Sequence, residues 1–220
     1  MSSRETQALI KDGARTLFNA RGTAHVSTNA IAKHCGISKG NLHYHYPTKQ
    51  ELILALHQDI AAEMEASWRD DSRQPTVTHM AEMFTRHFGI IRHYRFFYRE
   101  MAALTAQNAK LRRSLRDARR RRIAAVVAFF EALVEAGVLA RPRSRHSLRH
   151  LVIMTWILCD NWWNFVEMEA EQTEGETVQN GYDIIIEVLY PYLTERARDD
   201  IYASYTALLP EPGGDPPIGG

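Results

Sequence analysis

The stretch from Ser27 to Leu52, STNAIAKHCGISKGNLHYHYPTKQEL, limits the fold more than any other part of the chain. Its stops and starts lie too close together for a long element. Ser27-Thr28 can cap a short helix reading NAIAKHC, and Gly36 ends it, because the left-handed residue that closes a helix is least strained as glycine. Ser38 can cap a second short helix, GNLHYHY, which Pro47 halts. Thr48-Lys49-Gln50-Glu51 has the form of a capping box, Thr48 accepting from the Glu51 amide and the Glu51 side chain reaching back. It opens a longer helix through Leu52, Leu56 and Ile60 to about Trp68. Two short helices joined through Gly36-Ile37-Ser38 have the length and punctuation of a helix-turn-helix.

The rest of the chain has helical periodicity, with no period-two alternation framed by turn residues, so an all-α fold is expected. Leu9/Ile10, Gly13/Ala14 and Leu17/Phe18 mark an opening helix that stops at Arg21-Gly22, which completes an N-terminal three-helix unit. The polar segment DDSRQP, 70–75, is the first clear break. Beyond it helices are predicted near 76–92, 95–107, 109–137, 146–169, 177–195 and 197–208, and the tail 209–220 has the composition of a disordered end. No internal repeat is present.

Charge separates the ends of the chain. Residues 1–50 hold seven Lys/Arg against two Asp/Glu, whereas the whole chain has a formal charge of +1. A basic head on a near-neutral body suits a polyanionic partner. Cys35 and Cys159 are far apart, with no metal-type spacing, and the His43/His45 pair at i, i+2 cannot share a helix face, so no metal and no other cofactor is expected. The longest apolar run, around Val152–Val166, is shorter than a membrane span and contains Asp160, Asn161 and Asn164. With no secretory leader at its start, the chain is expected to be cytoplasmic and free of membrane.

In the second short helix Leu42 pins the element against Ile31, Ala32 and Ile37, which leaves Lys39, Gly40, Asn41, His43, Tyr44 and His45 to point elsewhere. Asn can pair with a base edge, Tyr and His can donate to phosphate or lie on a thymine methyl, and Lys39 and Lys49 supply charge. Gly40 lets backbone press close. The free amides near Thr28 and Ser38 suit phosphate. Tyr46 is expected in the core.

These residues together resemble the DNA-binding signature of the tetracycline-repressor (TetR) family of bacterial transcriptional regulators, over about residues 5–60. The resemblance implies that Thr28, Lys39, Asn41, His43, Tyr44, His45 and Lys49 fall on positions that family members use for DNA. His43 departs from the pattern, since tyrosine or phenylalanine is commoner there. An operator of duplex DNA, palindromic, with heads on successive major-groove faces about 34 to 36 Å apart, is the expected partner.

The segment HSLRHLVIMTWILCDNWWNFVEME is apolar on more than one side and must be covered on more than one side. Trp156, Trp162 and Trp163 would each bury roughly 150 to 250 Å². With Tyr182, Ile185, Val188, Leu189 and Tyr192 on the helix near 177–195, a self-complementary four-helix seam between two copies is expected, which agrees with the homodimer that the resemblance implies. Its candidates are Ile153, Ile157, Trp163, Gly181, Ile185 and Leu189, Gly181 allowing a close helix crossing. The resemblance also implies a small-molecule effector pocket in each body. Candidate lining is Met83, Phe84, His87 and Phe88 on one stripe, then Phe97, Met101, Phe129, Phe130 and Trp156, with Asp160 a polar intruder; such walls suit an apolar or flat ligand. Taken singly, each of these is more often an ordinary core residue. The run KLRRSLRDARRRR, 110–122, has eight basic residues and one acidic, and reads first as a solvated helix face.

The expected organisation is therefore a helix-turn-helix DNA-binding domain, 1–48, followed by a larger helical ligand-binding and dimerisation domain, 49–208. The function it implies is a ligand-responsive regulator, by default a repressor released by its effector. A helical protein-binding adaptor without sequence-specific DNA binding is the alternative. No phosphate-cradling Gly-rich loop, HExxH or nucleophile elbow supports an enzyme, and the pair His146/His150 lacks a third ligand.

Overall fold

Ten helices follow one another in the computed structural model, which describes residues 2–68, 75–143, 147–168 and 174–208. They are α1 Ser3–Arg21, α2 Thr28–His34, α3 Lys39–His45, α4 Lys49–Ser67, α5 Val77–His93, α6 Arg95–Gln107, α7 Ala109–Glu135, α8 Ser147–Val166, α9 Glu174–Leu189 and α10 Glu195–Leu208. Among the described residues there is no β-strand, only an isolated antiparallel bridge between Leu139 and Leu193. The segment 70–74, His146 and the tail 209–220 lie outside the described residues.

The caps explain where most of these helices begin. Ser2 and Glu5 form a reciprocal capping box on α1, Ser27 Oγ accepts from the Ala30 amide, and Ser38 Oγ accepts from the Asn41 amide. Between α2 and α3 Gly36 has φ +66°, the left-handed conformation that the turn requires. Thr48 Oγ1 accepts from the Glu51 amide at 3.2 Å, as the sequence predicts, but the expected return contact is not formed, and Glu51 Oε2 is buried without a hydrogen-bond partner. The helix expected over 177–195 instead stops at Leu189, and Tyr190–Tyr192 forms a 3₁₀ turn. Pro191 is the physical reason: it lacks the N–H that an α-helix would need there. The chain then folds back, with the Ala140 amide donating to Tyr192 O and the Thr194 amide to Val138 O.

Two compact units result. The first comprises Met1–Glu63 and Tyr94–Ala118, the second Met64–His93 with the chain from Arg119 onward. The first is larger than the 1–48 head read from the sequence, because α6 docks on α1. Phe18 and Phe96 are fully buried with ring centroids 5.2 Å apart, Asn19 Oδ1 accepts from the Phe96 amide, and Arg99 donates to Asn19 O. Ile10, Ile31, Leu42, Leu52 and Leu111 complete that core. In the second unit α5 packs on α8 and α10, and α8 on α9, around Phe88, Phe130, Leu133 and Leu189. Helices α4 and α7 contribute residues to both units.

Candidate nucleic-acid interface and body cavity

Helix α3 has two chemically different sides. Leu42 is fully buried and Tyr46, just past the helix, is buried too, while Lys39, Gly40 and Asn41 are exposed and Tyr44 is 81% exposed. A tyrosine held that far into solvent is unusual for its apolar ring, and the exposed set is polar, aromatic and cationic. The Tyr44 ring meets half-buried His45 edge-on at 5.1 Å. His43 is half-buried and its Nδ1 lies 3.1 Å from Pro47 O. A carbonyl only accepts, so Nδ1 carries the proton and a neutral His43 keeps Nε2 as an acceptor. Thr28 stands half-buried in the first turn of α2, and the capping role falls to its neighbour Ser27.

Lys49 has a different position from the free charge expected of it. Its half-buried Nζ donates to Thr23 O at 2.6 Å and Val26 O at 3.1 Å, tying the loop before α2 to the start of α4. An ammonium has three donors, so one remains for another acceptor. The same loop is held from α6, where Glu100 accepts from the Thr23 amide at 2.9 Å and from the Thr23 hydroxyl. Neither Thr23 nor Glu100 was signalled by local sequence, because they are 77 residues apart.

In the second unit the sequence candidates separate. Phe84, His87 and Trp156 line a small cavity together with Trp68, Val126 and Arg122, and the space between them holds about one water. Phe129 packs on Trp68 at 6.0 Å, Phe88 lies between His87 and Tyr182, and Met83 and Phe130 are buried core. Phe97 and Met101 do not belong to this set. Both lie in the first unit, where the Phe97 ring lies tilted 5.3 Å from buried His57.

The sequence reading missed Arg122. The last residue of the basic run is buried, its guanidinium 4.0 Å over the Trp156 ring, and its Nη2 donates to His87 Nδ1 at 2.7 Å. Only donors are available on a guanidinium, so His87 is neutral and accepts. Burial, and then the Arg122 charge, hold its pKa well below the usual imidazole value. Asp160 accepts from Trp156 Nε1, and burial raises its carboxyl above the ordinary range, partly opposed by Arg122. The only sequence signal for Arg122 was its place next to the apolar stretch IAAVVAFF. The solvated-face reading holds for exposed Arg119, Arg120 and Arg121 but not for it.

The seam candidates divide by exposure. Trp163, Gly181, Ile185 and Leu189 are all buried within the single chain. A Cβ on Gly181 would lie 2.7 Å from Trp162 Nε1 and 3.1 Å from Phe88 Cζ; the close crossing exists, but between α9 and the chain's own α8. Ile157 is 58% exposed and Ile153 half-buried, and with them stand Met154, Phe165 and Met168, each more than half exposed.

Among the described residues no group of His, Cys, Asp or Glu could hold a metal, and no helix is long and apolar enough to cross a membrane. Comparison with known proteins then bears on the whole chain. The family model described as bacterial regulatory proteins, tetR family, matches residues 10–56, and the one described as bacterial transcriptional repressor, TetR, matches residues 60–201. No curated protein matches the chain. Among solved structures, a TetR-family transcriptional regulator from Marinobacter aquaeolei VT8 is 27% identical, with a TM-score of 0.83 over 94% of this chain and 98% of that one. The ketosteroid transcriptional regulator KstR2 of Mycobacterium tuberculosis shares the fold, at 20% identity and TM-score 0.62 over 89% and 97% of the two chains. So does SmeT in complex with triclosan, at 18% and 0.65 over 88% and 94%. With a helix-turn-helix whose second helix turns its polar side outward, and family models that together span both units, the chain belongs to the TetR family of transcriptional regulators.

Proposed function

We propose that the protein is a repressor that binds a palindromic operator as a homodimer and is released when a small apolar or aromatic molecule enters its second unit. The observation that carries the reading is the exposure of Asn41 and Tyr44 beside Lys39 on a helix anchored by fully buried Leu42. Thr28, Ser38, Gly40, His43 and His45 are assigned to the same surface, and Lys49 contributes its remaining N–H. The homodimer is supported by Met154, Ile157, Phe165 and Met168, which fall at spacings of three, eight and three along α8 and just beyond it, with exposed Asn161 between the two pairs, and leave apolar side chains uncovered. The effector is supported by the cavity beside Trp156 and, by analogy, by the triclosan complex of SmeT.

A ligand shifts a regulator only by binding its two states unequally. Helices α4 and α7 are the continuous elements through which such a difference would pass, since each has residues in both units. Sequencing the genomic fragments retained by the purified protein tests the reading. Enrichment of a palindrome, with its halves about one helical turn apart, is expected. Fragments without a common motif, or a motif with no dyad, would contradict it.

A further inference from the structure

The cluster around Trp156 holds a buried guanidinium with no direct ion-pair partner. Arg122 and Arg119 place their guanidinium carbons 4.0 and 6.0 Å from the centre of the same indole ring, and Asp160 sits at its N–H edge. Arg122 and Asp160 are the buried charges of this group, His87 is neutral, and Arg119 is exposed at its rim. Arg122 is 7% exposed, lines the cavity, and its Nε finds no hydrogen-bond partner. Arg121 pairs with Glu65, whereas Arg122 takes part in no ion pair among the described residues. Arg122 donates to a neutral imidazole and lies on a π face, and buried Asp160 acts on it only electrostatically, without the direct ion pair that normally offsets a guanidinium's desolvation. Asp160 Oδ1 is likewise buried without a partner.

We propose that this cavity takes a small apolar monocarboxylate, its carboxylate accepting from Arg122 and its body lying against Phe84, Val126 and Trp68. The inference rests on the reading that the second unit holds the effector, and it names the effector's class. A carboxylate supplies the hydrogen-bonded anion that Arg122 lacks and forms charge-assisted bonds, which are stronger than those of an amide or a phenol. The apolar walls favour a flat or aliphatic body. Because the space holds about one water, Trp68 and Phe84, now edge-to-face at 5.5 Å, must move apart as the ligand enters. Their displacement gives the binding a fluorescence signal. Burial raises the Asp160 carboxyl, so the cluster can also take up a proton as the anion arrives.

The experiment titrates the full-length protein, free and operator-bound, with benzoate, phenylacetate and 1-naphthylacetate, each beside its primary amide. Tryptophan fluorescence and thermal stabilisation report binding, and operator retention reports release. At least one acid is expected to bind tenfold or more tightly than its amide, and Arg122→Gln is expected to remove that preference. Equal binding of acid and amide, or a preference that survives in Arg122→Gln, would overturn the proposal. If Arg122→Gln does not fold, Arg122→Lys and the wild-type acid-to-amide ratio still decide it: a ratio near one refutes the carboxylate. Amides that bind and release the operator as well as acids would leave the effector reading standing and the carboxylate refuted. An acid that binds through Arg122 without releasing the operator would do the reverse. No binding by any of the six compounds would overturn this inference.

Discussion

Glu100 holds Thr23 by both its backbone amide, at 2.9 Å, and its hydroxyl, so one carboxylate on α6 fixes the loop that precedes the helix-turn-helix. Thr23 is buried, and a hydrogen bond to a charged group contributes about 1.5 to 3 kcal/mol. Glu100→Ala is therefore expected to lower stability by about 2 kcal/mol in urea unfolding, and to weaken operator binding. Gly22 next to it has φ +75° and ψ 156°, a region open essentially to glycine, and an added Cβ would lie 3.0 Å from Glu100 Oε1. Gly22→Ala should cost about 1 to 3 kcal/mol in the same measurement.

Exposed and clamped residues of the reading surface should respond differently. Asn41→Ala and Tyr44→Ala remove exposed side chains, so unfolding should change by no more than about 0.5 kcal/mol. Operator affinity should fall by about 1 to 3 kcal/mol wherever the deleted side chain reads a base edge. Lys49→Met should lower both, because its ammonium also satisfies the Thr23 and Val26 carbonyls. Parallel unfolding and gel-shift titrations separate the two patterns; a Lys49→Met chain of unchanged stability would contradict the clamp.

Acid sensitivity should have an identifiable part in His57. It is buried against Phe97, with Nδ1 3.1 Å from Ser114 Oγ, and burial lowers its pKa to about 4 from an unfolded value of 6.5. The unfolded chain then binds the extra proton, so this contribution is complete above pH 6.5 and is lost as pH falls toward 4. Within that window the slope it adds approaches about 1.4 kcal/mol per pH unit. Urea unfolding between pH 7.5 and 5 should show a shallower decline in His57→Gln than in the wild type. Parallel declines would remove His57 from the account.

The exposed side of α8 predicts how the chain associates. Ile157→Glu should convert a dimer to a folded monomer in sedimentation, because Ile157 is 58% exposed in the single chain. Ile185→Glu, at a site only 1% exposed, should instead unfold the second unit. A dimer that persists in Ile157→Glu would place the seam elsewhere.

These contrasts show what was legible in the sequence. Ser27, Gly36, Ser38 and Pro47 act on their own few residues, so their positions predict α2, the turn and α3 closely. Leu42 and Tyr46 follow from the same local logic. On α8, apolar side chains surround the helix and periodicity cannot rank the faces; whether Trp163 or Phe165 is buried depends on how α5 and α9 pack against it, which the pattern within α8 does not encode. Arg122 differs from Arg121 only by the rotation that brings it onto Trp156. The Thr23–Glu100 pairing is a matter of tertiary structure with no local pattern.

Operator binding by the full-length protein, followed as a function of salt, tests the central claim most directly. If Lys39, Lys49 and neighbouring cations neutralise phosphates beside the Asn41 and Tyr44 side chains, log K should fall linearly with log salt, with a slope of about −0.9 for each phosphate neutralised. Several such phosphates per subunit predict a steep line, and Lys39→Ala should flatten it by about one phosphate per subunit. A flat line for the wild-type protein, or a slope indifferent to Lys39, would contradict the account.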